Sequence, residues 1–70
     1  MKVKFTLHGL GNNLLLPKDI DADIKFQHGD KIWHVNNTKH IEYRVVDVSF
    51  VLDDLKGEFY QDVGLSPQES

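Results

Sequence analysis

Apolar and polar residues alternate along much of this chain, with the period of two that turns one face of a β-strand to a core. Near the N-terminus Val3, Phe5 and Leu7 alternate with Lys4, Thr6 and His8, which predicts a strand over residues 2–8. Gly9, Gly11, Asn12 and Asn13 break the pattern and read as a turn. Leu14, Leu15 and Leu16, closed by Pro17, read as a short buried strand antiparallel to the first. The alternation then returns, with Ile20, Ala22, Ile24 and Phe26 set against Asp19, Asp21, Asp23 and Lys25. Aspartate is a poor strand former, and Pro17 followed by two acids also suits a helix start. Extended chain is expected over residues 23–27, and a helical turn over residues 18–22 stays open.

His28, Gly29 and Asp30 form a turn signal, followed by a strand over residues 31–35. Asn36 and Asn37 fit a two-residue hairpin loop, because asparagine tolerates positive φ. That loop sets Lys31 opposite Glu42, Ile32 opposite Ile41 and Trp33 opposite His40; a four-residue loop, 36–39, is the rival. The return strand, residues 40–52, is the longest feature, and its apolar face changes along the way. Ile41, Tyr43 and Val45 share one parity, and Val46, Val48, Phe50 and Leu52 share the other. A switch of face within a strand calls for a bulge or a sharp bend between Val45 and Val46. Asp53 and Asp54 end the strand, Lys56 and Gly57 make a turn, and a last short strand is expected over 58–62. From Gly64 the sequence GLSPQES reads as a frayed tail. The expectation is one domain, residues 1–63, with a tail at 64–70. It is mostly β: about five short antiparallel strands in a small, partly open, SH3-like or OB-like barrel. A sheet with one short helix packed on it is the rival.

Composition agrees with that picture. Leu, Ile, Val and Phe supply 23 of 70 residues, above the roughly 20% at which chains tend to stay disordered. Alanine occurs once and methionine once, a poor helical composition. Eleven acidic side chains against eight basic ones give a net charge of -3, the opposite of a basic nucleic-acid footprint. Arg44 is the lone arginine, so direct nucleic-acid binding is not expected. Without cysteine, disulfides, thiolate zinc sites and a cysteine nucleophile are excluded. No apolar run reaches the ~20 residues of a membrane span, and the first ten residues lack a signal-peptide core. A cytoplasmic protein without a membrane role is expected.

Candidate chemistry is sparse. His8, His28, His34 and His40 lack the spacing of a metal motif, and surface positions at strand ends are expected for them. Asp19, Asp21, Asp23 and Asp30 fall at positions 1, 3, 5 and 12 of a calcium loop. Its obligatory glycine at position 6 is Ile24 here, and its final glutamate is Asp30, so an acidic solvated edge is the expectation. Ser49 lies two residues from Asp47 on one face, with no nucleophile elbow around any hydroxyl. No enzyme activity, metal or cofactor is expected. Trp33 is read as core or half-buried packing, with an interface anchor as the alternative. Trp33, His34, His40 and Arg44 around the hairpin are the candidate partner-binding residues. Asp19, Asp21, Asp23, Asp53 and Asp54 form the alternative, an acidic face for a basic partner.

Gly29-Asp30-Lys31-Ile32, a hairpin, and then Glu42-Tyr43-Arg44-Val45-Val46-Asp47-Val48 resemble the rhythm of small SH3-like β-barrel proteins of phages and prophages, head–tail connector components among them. The resemblance spans about residues 29–54. It implies a virus-associated origin and a role in protein–protein contact, and it transfers no functional residue. The expected function is a small non-catalytic domain that binds another protein. The alternatives are a structural subunit of a self-assembly, such as a phage particle component and therefore a homo-oligomer, and an acidic inhibitor of a nucleic-acid-binding enzyme.

Overall fold

The computed structural model describes residues 1–9, 16–37 and 39–68. It is all β: β1 (Lys2–Leu7), β2 (Ile20–Asp21), β3 (Lys31–Asn36), β4 (Lys39–Asp53) and β5 (Glu58–Pro67). They form one sheet in the order β2-β1-β5-β4-β3, curled into a half-barrel. This is the small, partly open barrel that the alternation predicts. Among the described residues no helix is long and apolar enough to cross a membrane.

The core lies on the inner, concave face. Val3, Tyr43, Val45, Val63 and Leu65 are fully buried there, with Phe5, Leu7, Leu16, Phe26, Ile32, Ile41 and Val48 packed around them. Burial of each large apolar side chain contributes roughly 1.5–3 kcal/mol. The face switch in β4 is a bulge: Val45 pairs with Leu65 and Asp47 with Gly64, which leaves Val46 as the extra residue. The bulge keeps Val45 and Val48 on one side of the sheet although their parities differ.

Several expectations change. The β1–β5 pair is parallel, Lys2 beside Tyr60 through Leu7 beside Leu65, where antiparallel strands were expected throughout. The helical turn over 18–22 does not form; Ile20 and Asp21 pair with Val3 and Lys2 instead. The Ala22 amide donates to the Met1 carbonyl at 2.9 Å, so the segment satisfies its backbone on β1 rather than within a helix. Residues 23–27 are not a strand; they cross the inner face as a cover. Leu16 is half-buried outside any strand, and the remainder of the predicted 14–16 strand lies outside the described residues.

The β3–β4 register is two places from the one set by an Asn36–Asn37 loop and is that of the four-residue rival, with Val35 opposite His40. Lys31 faces Arg44, Trp33 faces Glu42 and Asn36 faces Lys39, so the loop begins at Asn37. An even shift leaves every side chain on its face, so the apolar pattern cannot discriminate the two registers. The Lys31–Glu42 ion pair survives as a diagonal contact of 3.7 Å.

The largest change is at the C-terminus. Gly64 to Pro67 do not fray; β5 runs through them as the central strand, and Val63, Gly64 and Leu65 are buried. Gly64 is required by close approach. A Cβ there would lie 2.6 Å from the His8 ring and 3.2 Å from the Asp47 Cβ. At the start of β3, Gly29 takes a positive φ of 97°, a conformation that glycine adopts without a steric penalty.

Candidate functional site

Parity divides the candidate residues between the two faces of the β3–β4 hairpin. The inner positions of β3 are Ile32 and His34, which face Tyr43 and Ile41. That turns Trp33 and Val35 outward, and they stand 57% and 64% exposed. Trp33 is therefore not core packing. His40 and Arg44 share this outer face, with Val35 opposite His40 and Lys31 opposite Arg44. The Arg44 guanidinium also donates to the Gly29 carbonyl at 3.4 Å. The result is an aromatic and an aliphatic side chain rimmed by Lys31, His40, Glu42 and Arg44.

His34 is separated from this group. Its ring lies 6.5 Å from that of Tyr43 on the inner face, and its Nδ1 is buried with no hydrogen-bond partner among the described residues. Burial raises the Tyr43 hydroxyl above its usual pKa. His34 also lines an open groove of about 730 Å³, opposite Leu16, Pro17 and Ile20. This groove is the seam where the curled sheet stays open between β2 and β3.

The acidic candidates gather at the opposite end of the sheet, where β1 and β5 begin and β4 ends. The Met1 amine donates to Asp21 at 2.9 Å and to Asp23 at 3.5 Å. The hydrogen bond from this ammonium is the main reason the Asp21 carboxyl is held below its usual pKa, and the same bond raises the amine. Asp53 accepts from the amides of Leu55 and Lys56 and so shapes the β4–β5 turn; Asp54 is exposed. Lys4 stands over the Tyr60 ring at 4.3 Å and contacts Glu58 at 3.4 Å. Desolvation lowers its pKa, but Glu58, Tyr60 and Asp19 outweigh that and leave it raised. The acids are thus partly occupied with local contacts. Among the described residues no three His, Asp or Glu side chains form a metal-holding group.

No protein-family model, curated protein or solved structure matches this chain.

Two features escape a reading of the sequence. Gln61 is fully buried and clips the covering loop to the inner face. Its Oε1 accepts from the Phe26 amide at 2.9 Å, and its Nε2 donates to the Ile24 carbonyl at 2.8 Å. Its position between Phe59 and Val63 in a period-two run is the available signal. The second feature is the half of β4 beyond the bulge, where Phe50 and Phe59 stack on the inner face, 6.1 Å apart, outside the covered core. The signal for it is length: a strand of six residues cannot flank one of fifteen.

Proposed function

We propose that this chain is a small non-catalytic protein-binding domain that makes its contact through the outer face of the β3–β4 hairpin. The observation that carries the reading is the outward Trp33, 57% exposed beside Val35. Exposed aromatic side chains with a polar rim are what protein interfaces centre on, and here Lys31, His40, Glu42 and Arg44 supply the rim. His34, on the inner face, leaves the contact set. In this reading the protein works in the cytoplasm and, following the resemblance of residues 29–54, originates from a phage or prophage. Affinity capture from lysate of the source cell, with the tagged chain and its Trp33→Ala variant side by side, tests it. One stoichiometric partner, retained by the native chain and lost by a folded Trp33→Ala, is expected. Equal capture by both would overturn the hairpin surface as the contact.

A second reading draws on the acids at the other end of the sheet, Asp21 and Asp23 beside the Met1 amine and Asp53 opposite Glu58 with Asp54 next to it. Such an end suits a basic partner, in the manner of an acidic inhibitor of a nucleic-acid-binding enzyme. Salt discriminates the two, since binding through exposed charges weakens steeply with ionic strength and binding through Trp33 does not.

A further inference from the structure

The second half of β4 is an open sheet edge. β3 pairs with β4 only as far as Arg44, and Gly29 and Asp30 extend the backbone bonding to Val45. Over residues 46–53, β4 pairs with β5 on one side from Asp47 onward, with Val46 as the bulged residue, and no described residue bonds to its backbone on the other. At about 3.4 Å per residue this edge is about 27 Å long, and alternate residues direct their N–H and C=O groups outward along it. Proline and lysine, two of the devices that blunt an edge, are absent from these eight residues; the bulge at Val46 and the charges of Asp47 and Asp53 are the devices present.

Its side chains are sorted by face. Phe50 and Leu52 point to the inner side, with Phe59 across the ladder from Leu52. They lie beyond the loop that Gln61 holds and are 49%, 71% and 52% exposed. The outer side carries Asp47, Ser49, Val51 and Asp53. An added strand would therefore meet an apolar row on one side and acids at both ends of the other. A second copy of this chain paired about Phe50 fits poorly. Antiparallel self-pairing about Phe50 sets Asp47 opposite Asp53, and like charges directly opposite destabilise a ladder.

We propose that residues 46–53 of β4 are a strand-addition site for an extended segment of another protein, apolar at alternate positions and basic at the positions between. Main-chain hydrogen bonds to the open edge would supply affinity, as in other cases of strand addition. Contact with Phe50 and Leu52, and ion pairs with Asp47 and Asp53, would select the sequence. The site is separate from the Trp33 surface and does not depend on it.

The test uses the full chain and an array of ten-residue synthetic peptides, valine or isoleucine alternating with lysine, serine or glutamate. The lysine set is expected to bind and the glutamate set to fail. With a bound peptide at about ten times its Kd, outward amides within 46–53 should exchange about tenfold more slowly. Asp47→Lys should move the preference towards the glutamate set, and Phe50→Ser should weaken all binding, with folding of each checked by circular dichroism. Trp33→Ala should bind the peptides as the native chain does, which separates failure here from failure of the hairpin reading. No binding by any set, equal binding by the lysine and glutamate sets, or protection outside residues 46–53 would overturn the proposal. Protection of these amides that grows with protein concentration, without peptide, would overturn it in favour of a second copy.

Discussion

Gln61 offers the sharpest test of how the inner face is closed. Replacing it with leucine keeps the volume and removes both bonds, leaving the Phe26 amide and the Ile24 carbonyl without their partners. A typical intramolecular hydrogen bond is worth about 1 kcal/mol net, and a buried group left unpaired costs about 1–3 kcal/mol. The loop over residues 24–26 can turn these groups to water, so the lower part of that range applies. Gln61→Leu should cost about 2–3 kcal/mol, a large share of the roughly 3.5–10 kcal/mol expected for a domain of this length. Urea unfolding at pH 7 measures the loss, and exchange of the Phe26 amide should accelerate with it. Gln61→Glu adds a signature in pH. The carboxylate still accepts from Phe26 but has no proton to donate to the Ile24 carbonyl. Protonation restores the donor, so folding raises this carboxyl above its unfolded pKa. Relative to the native chain, the variant's stability should be fully recovered below about pH 4.3 and lost as pH rises through the raised folded value. Gln61→Leu within about 0.5 kcal/mol of the native protein, with unchanged exchange at Phe26, would refute the clip.

Leu65→Ala should destabilise by about 3 kcal/mol, because Leu65 is fully buried in the central strand; thermal unfolding reads it, and a frayed tail would show no change. Gly64→Ala should cost about 1 kcal/mol through the 2.6 Å approach to the His8 ring, and a His8→Ala background should remove most of that cost in a double-mutant cycle. Docking of β2 should be tightest between about pH 4 and pH 8. The lowered Asp21 contributes above its unfolded value and is lost as pH falls through its folded one; the raised Met1 amine contributes below its unfolded value and is lost as pH rises through its folded one. Exchange at the Ala22 amide, corrected for its intrinsic pH dependence, measures this window, and acetylation of the amine should erase its alkaline limb.

Where alternation is local, the sequence carries the fold. β1, β3 and β4 follow from period two, and the bulge follows from the change of parity between Val45 and Val46. Gly64 and Pro67 conceal the continuation of β5, because both residues ordinarily end strands. Here the glycine answers crowding at the bulge, and the proline ends the strand opposite Tyr43. The alternation of Phe59, Gln61, Val63 and Leu65 was present to be read. Pairing between distant segments was not: nothing local in Lys2–Leu7 specifies a parallel neighbour at the other end of the chain. The candidate surface was legible in part for the same reason. Parity places Trp33, His40 and Arg44 on one face and excludes His34, whereas the open edge of β4 depends on where β3 stops.

The parallel pairing of β1 with β5 has a consequence for biosynthesis. Val3 lies beside Gln61, 58 positions later in the chain, so β1 waits for a strand made well after it. At the usual 5–20 residues per second that wait is roughly 3–12 s on the ribosome. During it Val3, Phe5 and Leu7 lack the central strand against which they pack, and the local β3–β4 hairpin can form without them. Closing so long a loop is slow relative to hairpin formation. The final step of folding is therefore expected to be the insertion of β5 between β4 and β1, a strand made 58 residues earlier.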